Sequence, residues 1–191
     1  MNSSQLKRAK RRVRREVLAL RDAIPEAERT SRGDTAVDRL LALPELVAAR
    51  AVMLFWSFGS EIRTEPAIAE LDRRGIAVLL PRVEGSDIVA VPYRPGQDTR
   101  TTRFGAREPL GDRVAADAID VVVVPAVAFD RRCARVGYGA GFYDRFLRDL
   151  DAFAVGLGFA AQLVEGDLPA SPFDRRLAAV VTEAETIRCS T

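Results

Sequence analysis

The residues best placed to do chemistry lie in one stretch, Phe129 to Arg145 (FDRRCARVGYGAGFYDR). Gly137, Gly139 and Gly141 alternate there, so the backbone can approach a ligand closely and turn freely. A helix opening at Phe142 would aim unpaired amides and a positive dipole end at an anion, and Arg135 adds a full charge beside them. Phosphate is the ligand that such a loop suits. A glycine-rich turn between strand and helix is also a purely structural device in many folds, and on the glycines alone the two readings balance. The common nucleotide fingerprints do not fit: G-K-[ST] is missing, and the spacing is GxGxG rather than GxGxxG.

Composition narrows the chemistry further. The chain has 191 residues and no histidine, which removes the Ser-His-Asp triad, Cys-His pairs, HExxH zinc sites and imidazole proton shuttles. Catalysis must run on carboxylates, guanidinium groups, backbone amides or a metal with oxygen ligands. Cys133 and Cys189 lack CxxC spacing and are too few for a secreted disulfide framework, so free thiols and a cytoplasmic protein are expected. The charged N-terminus has no apolar stretch behind it and does not read as a signal peptide. Hydrophobic residues at 48% and charged residues at 29% fit a soluble domain, with no run able to span a bilayer. Residues 1–32 hold ten Lys/Arg against four Asp/Glu, which concentrates the positive charge at the start of the chain. Only Lys7 and Lys10 are lysines, so arginine abundance by itself carries no functional meaning here.

The elements that must position these groups can be read from periodicity. Ser3 or Ser4 caps a first helix, whose apolar stripe runs through Leu6, Val13, Val17, Leu20 and Ile24; Lys10, Arg11, Arg14, Arg15 and Arg21 lie off it. Pro25 ends that helix, and a second runs to Pro44. Ala51 to Phe58 and Ile76 to Pro81 read as strands joined by a helix opening at Thr64-Glu65-Pro66, a β-α-β unit with parallel strands. Ile88 to Tyr93 follows a turn, and residues 94–113 read as a long loop. Ile119 to Val124 is the most β-branched segment and the expected central strand, with Phe153 to Gly158 and Leu177 to Thr182 beside it and a helix over Phe142 to Leu150. The expectation is one α/β domain over 1–191, with N-terminal helices in 1–49 and the sheet and ligand site in 50–191. Its sheet is open, mostly parallel and Rossmann-like, with helices on both faces. The glycine segment follows the carboxyl end of the central strand, where such sheets bind ligands.

Arg135 to Arg145 (RVGYGAGFYDR) resembles the R-[LIV]-G-Y-G-x-G-[FY]-Y-D signature of the 5-formyltetrahydrofolate cyclo-ligases, or 5,10-methenyltetrahydrofolate synthetases. Lys10 to Arg14 (KRRVR), Ser60 to Glu65 (SEIRTE), Phe104 to Pro109 (FGAREP) and Phe173-Asp174 through Thr182-Glu183 resemble further motifs of that family in order, over essentially the whole chain. The resemblance implies a fold like the NagB/RpiA/CoA-transferase group. It also implies ATP- and Mg2+-dependent closure of 5-formyltetrahydrofolate to 5,10-methenyltetrahydrofolate, with release of ADP and phosphate. Such chemistry depends on positioning and on neutralising phosphate charge, which needs no histidine. Carried over, Arg14, Arg135 and Tyr143 would be catalytic. ATP would lie along Lys10, Arg11, Arg12, Val13 and Arg14 and along Arg135, Val136, Gly137, Tyr138, Gly139, Ala140, Gly141, Phe142 and Tyr143. Folate would meet Trp56, Glu61, Phe104, Tyr138, Gly139, Ala140, Gly141 and Phe142, with Glu61 accepting hydrogen bonds from the pterin. Asp144 and Asp174 would hold the metal.

Bland readings stand beside these: a solvated basic helix face for Lys10 and Arg14, a first-turn aspartate for Asp144, a loop carboxylate for Glu61, a core residue for Trp56. Phe173 stands where the family commonly has histidine, Cys133 where it has glycine, and Ala140 where glycine is frequent. Two other function classes stay open, an ATP-binding paralogue with another substrate or a regulatory role, and a nucleic-acid binder using the basic helix. The expected partners are 5-formyltetrahydrofolate and ATP, with no nucleic acid, no membrane and a monomeric state.

Overall fold

The computed structural model describes residues 2–102 and 107–189. Its frame is a seven-stranded sheet in the order β11-β10-β9-β6-β1-β2-β3. The strands are β1 (Ala51–Met53), β2 (Ala77–Glu84), β3 (Asp87–Pro92), β6 (Val121–Val124), β9 (Phe153–Leu157), β10 (Ala179–Val181) and β11 (Thr186–Arg188). The five inner strands run parallel, and the two edges, β3 and β11, are antiparallel to their neighbours. The central β6, four valines in a row, is buried on both faces. Val121 and Val123 point into a core with α2 (Glu26–Leu41), α3 (Pro44–Val47) and α4 (Glu65–Arg73). Val122 and Val124 point to the opposite face, against Leu147 and the rings of α5 (Phe142–Phe146). Side chains alternate along a strand, so β-branched residues at every position require helices on both faces.

Local chemistry trims the expected elements. Asn2, not a serine, caps α1 (Ser3–Asp22): its side chain accepts from the Gln5 N–H at 2.9 Å while the Gln5 side chain accepts from the Asn2 N–H at 2.9 Å, a capping box. β1 stops well short of Phe58 because the chain curls back. Phe55 O accepts from Thr64 Oγ1 at 2.7 Å, and the Ser57 N–H donates to the same hydroxyl at 3.3 Å. α5 ends at Phe146 rather than Leu150. Residues 94–113 are not a featureless loop, since β4 (Thr99–Thr101) and β5 (Arg107–Pro109) pair antiparallel. A second hairpin, β7 (Ala128–Phe129) with β8 (Arg135–Val136), carries the chain into the glycine segment.

The expectation of free thiols is overturned, because Cys133 and Cys189 form a disulfide with Cα atoms 6.2 Å apart. Sequence spacing could not show this. β11 turns back along β10 and returns Cys189 to the turn between β7 and β8, where Cys133 holds a left-handed φ of 57°. That turn is fastened by Asp130, 1% exposed, whose carboxylate accepts from the N–H groups of Arg132, Ala134 and Leu168. A crosslink spanning 56 residues limits the unfolded chain and is worth roughly 4 kcal/mol by loop entropy. Reduction is therefore expected to lower the melting temperature by about 8–16 °C. Identical melts with and without a thiol reductant would show that the bond is not formed in solution.

No helix among the described residues is long and apolar enough to cross a membrane.

Candidate active site

α1 does not lie on the sheet. Val13, Val17 and Leu18 pack against Val127, Ala128, Ala134, Val136 and Leu168, so the helix rests on the β7–β8 hairpin. That docking keeps Val13, Val17 and Ile24 of the expected stripe inward and departs from it at one position. Leu20 is 59% exposed, while Arg21 is only 3% exposed. Lys10, Arg14, Val17 and Arg21 share the inward face at helical spacing, and the positive charges of the first motif are turned toward the glycine segment.

Arg14 sits in that segment. Its Nε–H donates to Gly137 O at 2.6 Å, and its Nη2 lies 3.4 Å from where a side chain at Gly139 would begin. Gly139 and Gly141 have φ of 114° and 71°, so the loop's path depends on glycine at both positions. Gly141 caps α5, and Arg145 ties the loop down by donating to Ala140 O at 3.1 Å and to Asp87 Oδ1 at 2.9 Å. Sequence reading passed over Arg145.

Two ion pairs involve the charges of the same motifs, and Asp174 of one of them acts on Arg14. Lys10 Nζ meets Asp174 Oδ2 at 2.5 Å, and Arg135 Nη2 meets Asp144 Oδ1 at 2.7 Å with the Arg135 side chain 4% exposed. Burial works against the Asp174 charge, but the Lys10 ammonium and the Ser171 N–H outweigh it and hold the carboxyl below the usual range. The sequence assigned Asp144 and Asp174 to a metal, and each already has a cation on one oxygen. In each the second oxygen has no hydrogen-bond partner among the described residues: Asp144 Oδ1 takes Arg135 and the Arg175 N–H, and Asp174 Oδ2 takes Lys10 and the Ser171 N–H. Among the described residues no group of three or more His, Cys, Asp or Glu stands together as a ready metal site, so Mg2+ would rest on such carboxylates only together with substrate phosphates and water.

The chain matches the family model described as the 5-formyltetrahydrofolate cyclo-ligase family over residues 6–183. It belongs to that family. It is 33% identical over 174 residues to the 5-formyltetrahydrofolate cyclo-ligase of Escherichia coli, covering 86% of this chain and 95% of the relative. It is 34% identical over 187 residues to that of Mycolicibacterium smegmatis, covering 92% and 94%. The 5,10-methenyltetrahydrofolate synthetase structure of Aquifex aeolicus superposes with a TM-score of 0.85 at 31% identity, covering 95% of this chain and 93% of that one. Membership makes the chain an ATP-using ligase of folate one-carbon metabolism.

Within this cyclo-ligase frame the remaining expected residues separate into groups. Glu61 is 6% exposed; its Oε1 accepts from the Tyr138 hydroxyl at 2.7 Å and its Oε2 from the Phe58 N–H at 3.1 Å. Burial pushes its carboxyl above the ordinary carboxylate range, against the pull of Tyr138, the Phe58 amide and Arg21. The Tyr138 ring packs 5.1 Å from Phe58. The Tyr143 hydroxyl is buried with no hydrogen-bond partner among the described residues, and burial, with the Glu61 charge, raises its pKa strongly. Phe142 stacks under the Arg145 guanidinium at 5.5 Å.

Other expected residues make different contacts. Trp56, half-buried, packs edge-on against Tyr93 at 5.6 Å with the Arg107 guanidinium 5.3 Å from its ring. Arg11 and Arg12 face solvent, Arg12 within 3.9 Å of Glu16. Val13 and Val136 serve the packing of α1 on the hairpin. Phe104 lies outside the described residues. Sequence reasoning missed Arg21, Ser60 and Phe58; the usable signal was the spacing of Lys10, Arg14 and Arg21, four and then seven residues apart, which puts all three on one helix face.

Proposed function

We propose that Arg14, Lys10 and Arg135 receive the ATP phosphates over the glycine segment, that Asp144 and Asp174 hold Mg2+, and that Glu61 orients the pterin for ring closure. The observation carrying this reading is the Arg14 guanidinium seated against Gly137 and Gly139 and within the field of Asp174, which Lys10 pairs. Sites remote in sequence converge there from α1, the glycine segment, α5 and the 171–175 loop.

The formyl oxygen attacks the γ-phosphorus and the bond to ADP breaks. N10 then attacks the activated formyl carbon, loses its proton, and phosphate departs with the formyl oxygen as the five-membered ring closes. The first step spreads negative charge over the transferring group, and fixed guanidinium and ammonium charges with loop amides stabilise it without reorganising. Asp144 and Asp174 would hold Mg2+, which would supply positive charge to neutralise the phosphates. Arg135, buried and braced by Asp144, offers a planar fork whose orientation is set before ATP arrives.

Glu61 supports the folate assignment by its unused capacity. A carboxylate can accept about four hydrogen bonds, and Glu61 accepts one on each oxygen, leaving one acceptor position on each for two adjacent N–H groups of a pterin edge. Because it is buried, a ligand edge reaches it only after a neighbouring group moves aside.

The test of the whole reading is appearance of methenyltetrahydrofolate absorbance from 5-formyltetrahydrofolate. Product is expected with ATP and Mg2+ together; folded protein giving none at high concentration overturns the reading, and product without Mg2+ overturns the metal assignment alone. Glu61→Gln should weaken folate binding by about tenfold or more while ATP binding persists, since hydrogen bonds to a charged group are worth roughly 1.5–3 kcal/mol. The ionised carboxylate is the form that accepts both N–H groups, so wild-type folate affinity should fall as pH is lowered through its raised pKa. The glutamine variant should lack that fall. Unchanged folate affinity by calorimetry would return Glu61 to a structural role.

A further inference from the structure

The most heavily buried charge on α1 lies outside the phosphate cluster and outside every motif that marks the family in this chain. Arg21 is 3% exposed, and its Nε–H donates to Ser60 Oγ at 2.9 Å while its Nη1 donates to the Tyr138 hydroxyl at 3.1 Å. The Ser60 hydroxyl in turn donates to Asp22 Oδ1, and the Tyr138 hydroxyl donates to Glu61 Oε1 at 2.7 Å. The donors and acceptors therefore run in one sense, from Arg21 outward along two arms. One arm ends on the solvent-facing Asp22, and the other ends on the buried Glu61.

A tyrosine hydroxyl rotates, and left alone it would exchange between accepting and donating partners. Arg21 removes that freedom. A guanidinium can only donate, so a hydroxyl that accepts from it must present its own hydrogen elsewhere, and the partner waiting there is Glu61. Tyr138 itself is 41% exposed and sits between two glycines, so its backbone supplies little restraint. The serine arm fixes the guanidinium by its Nε edge, and the burial of α1 against the β7–β8 hairpin fixes the helix that carries it.

We infer that Arg21 is a positioning residue of the folate site: it locks the Tyr138 hydroxyl as a donor to Glu61 and so orients the Glu61 carboxylate with one free acceptor position on each oxygen. This rests on Glu61 being the pterin acceptor. The charges and titratable groups around Glu61 come from three elements: Arg21 on α1, Tyr138 in the glycine segment and Tyr143 on α5, with Asp22 one hydrogen bond further away through Ser60. Burial raises the Glu61 pKa, and Arg21 is one of the groups opposing that rise, so removing it lets the carboxylate protonate at higher pH.

Calorimetric titration of Arg21→Gln, Tyr138→Phe, the double variant and Glu61→Gln with 5-formyltetrahydrofolate, and separately with ATP, tests this. Arg21→Gln should weaken folate binding roughly tenfold, leave the ATP dissociation constant within about twofold, and move the acid-side loss of folate affinity to higher pH. A purely structural role would not move that pH limb. In the double variant the two losses should be clearly less than multiplicative, because both act through the same hydroxyl. Arg21→Lys keeps the buried charge but not the two-armed geometry. It should hold the pH limb near wild type while losing folate affinity, and it carries the cycle with Tyr138→Phe if the glutamine variant does not fold. Normal folate affinity in the Arg21 variants, with Glu61→Gln impaired, overturns the positioning role alone, as does strict multiplicativity. Normal affinity in Glu61→Gln overturns the pterin assignment, and the role of Arg21 falls with it.

Discussion

Arg14→Ala is expected to lower kcat/KM for ATP by about 10²–10³-fold, the usual cost of removing one preorganised donor from a site of developing charge. Arg15→Ala, one position further along the same helix, should stay within about twofold of wild type. Both changes delete one positive charge from the same basic segment, so a long-range field would treat them alike, and physiological salt would mask both. Their surroundings differ. Arg15 is exposed, whereas Arg14 is partly buried, with its Nε–H on Gly137 O and its terminal nitrogens against Gly139. A direct contact of this kind is poorly screened, so the Arg14 loss should survive at physiological ionic strength. Sequence periodicity would suggest Arg21 as the neutral comparison, since it falls off the apolar stripe; its burial and its bonds to Ser60 and Tyr138 disqualify it. The readout is methenyltetrahydrofolate formation at varied ATP, with melting temperatures measured in parallel. Equal kinetics for the two variants at matched stability would mean that α1 supplies only general charge, and the phosphate site would have to be rebuilt around Arg135 and the glycine segment.

Gly156→Ala should be the most damaging small substitution to the fold. Gly156 is the fourth residue of β9, and a β-carbon there would stand 2.4 Å from Phe129 Cε1 and 2.9 Å from Leu177 Cδ1. Both side chains are fully enclosed, Phe129 at 0% and Leu177 at 1% exposure, so neither can swing into open space. Overpacking a closed core commonly costs about 1–3 kcal/mol and occasionally more, and this contact belongs at the upper end. A fall in melting temperature of roughly 6–12 °C follows for a chain of this size. Gly33→Ala makes the contrast: in α2 the nearest atom to the added carbon is Ile62 Cγ2 at 3.6 Å, an ordinary contact. That change should stabilise by about 0.5–1 kcal/mol through helix preference. Combining Gly156→Ala with Phe129→Leu should recover part of the loss. Thermal denaturation of the four proteins checks the set, and a Gly156→Ala melt equal to wild type would mean that β9 and the β7–β8 hairpin do not pack as described.

How much of this was legible beforehand differs by the range of the interactions involved. The four valines of β6, the β-α-β unit around α4 and the glycine segment following the central strand all rest on residues close together in the chain. Their apolar runs, proline positions and glycine conformations act locally, and the structure keeps them with changed ends. The convergence of Lys10 and Arg14 on the glycine segment was legible only through motif resemblance. Periodicity counts apolar residues and cannot tell a solvated arginine from one buried by partners more than a hundred residues away. Arg21 is the clear instance: its partner Tyr138 lies 117 positions on, and only the docking of α1 on the β7–β8 hairpin brings them together. The same limit hid the Cys133–Cys189 bond, which exists because β11 folds back antiparallel to β10. It also hid the shortening of β1, set by the Thr64 hydroxyl closing on Phe55 O. The sequence alone determined which segments are apolar, where the chain can turn and which residue types carry charge. Tertiary packing decided which charges face inward, because burial of a guanidinium or a carboxylate is tolerated only where distant donors and acceptors meet it.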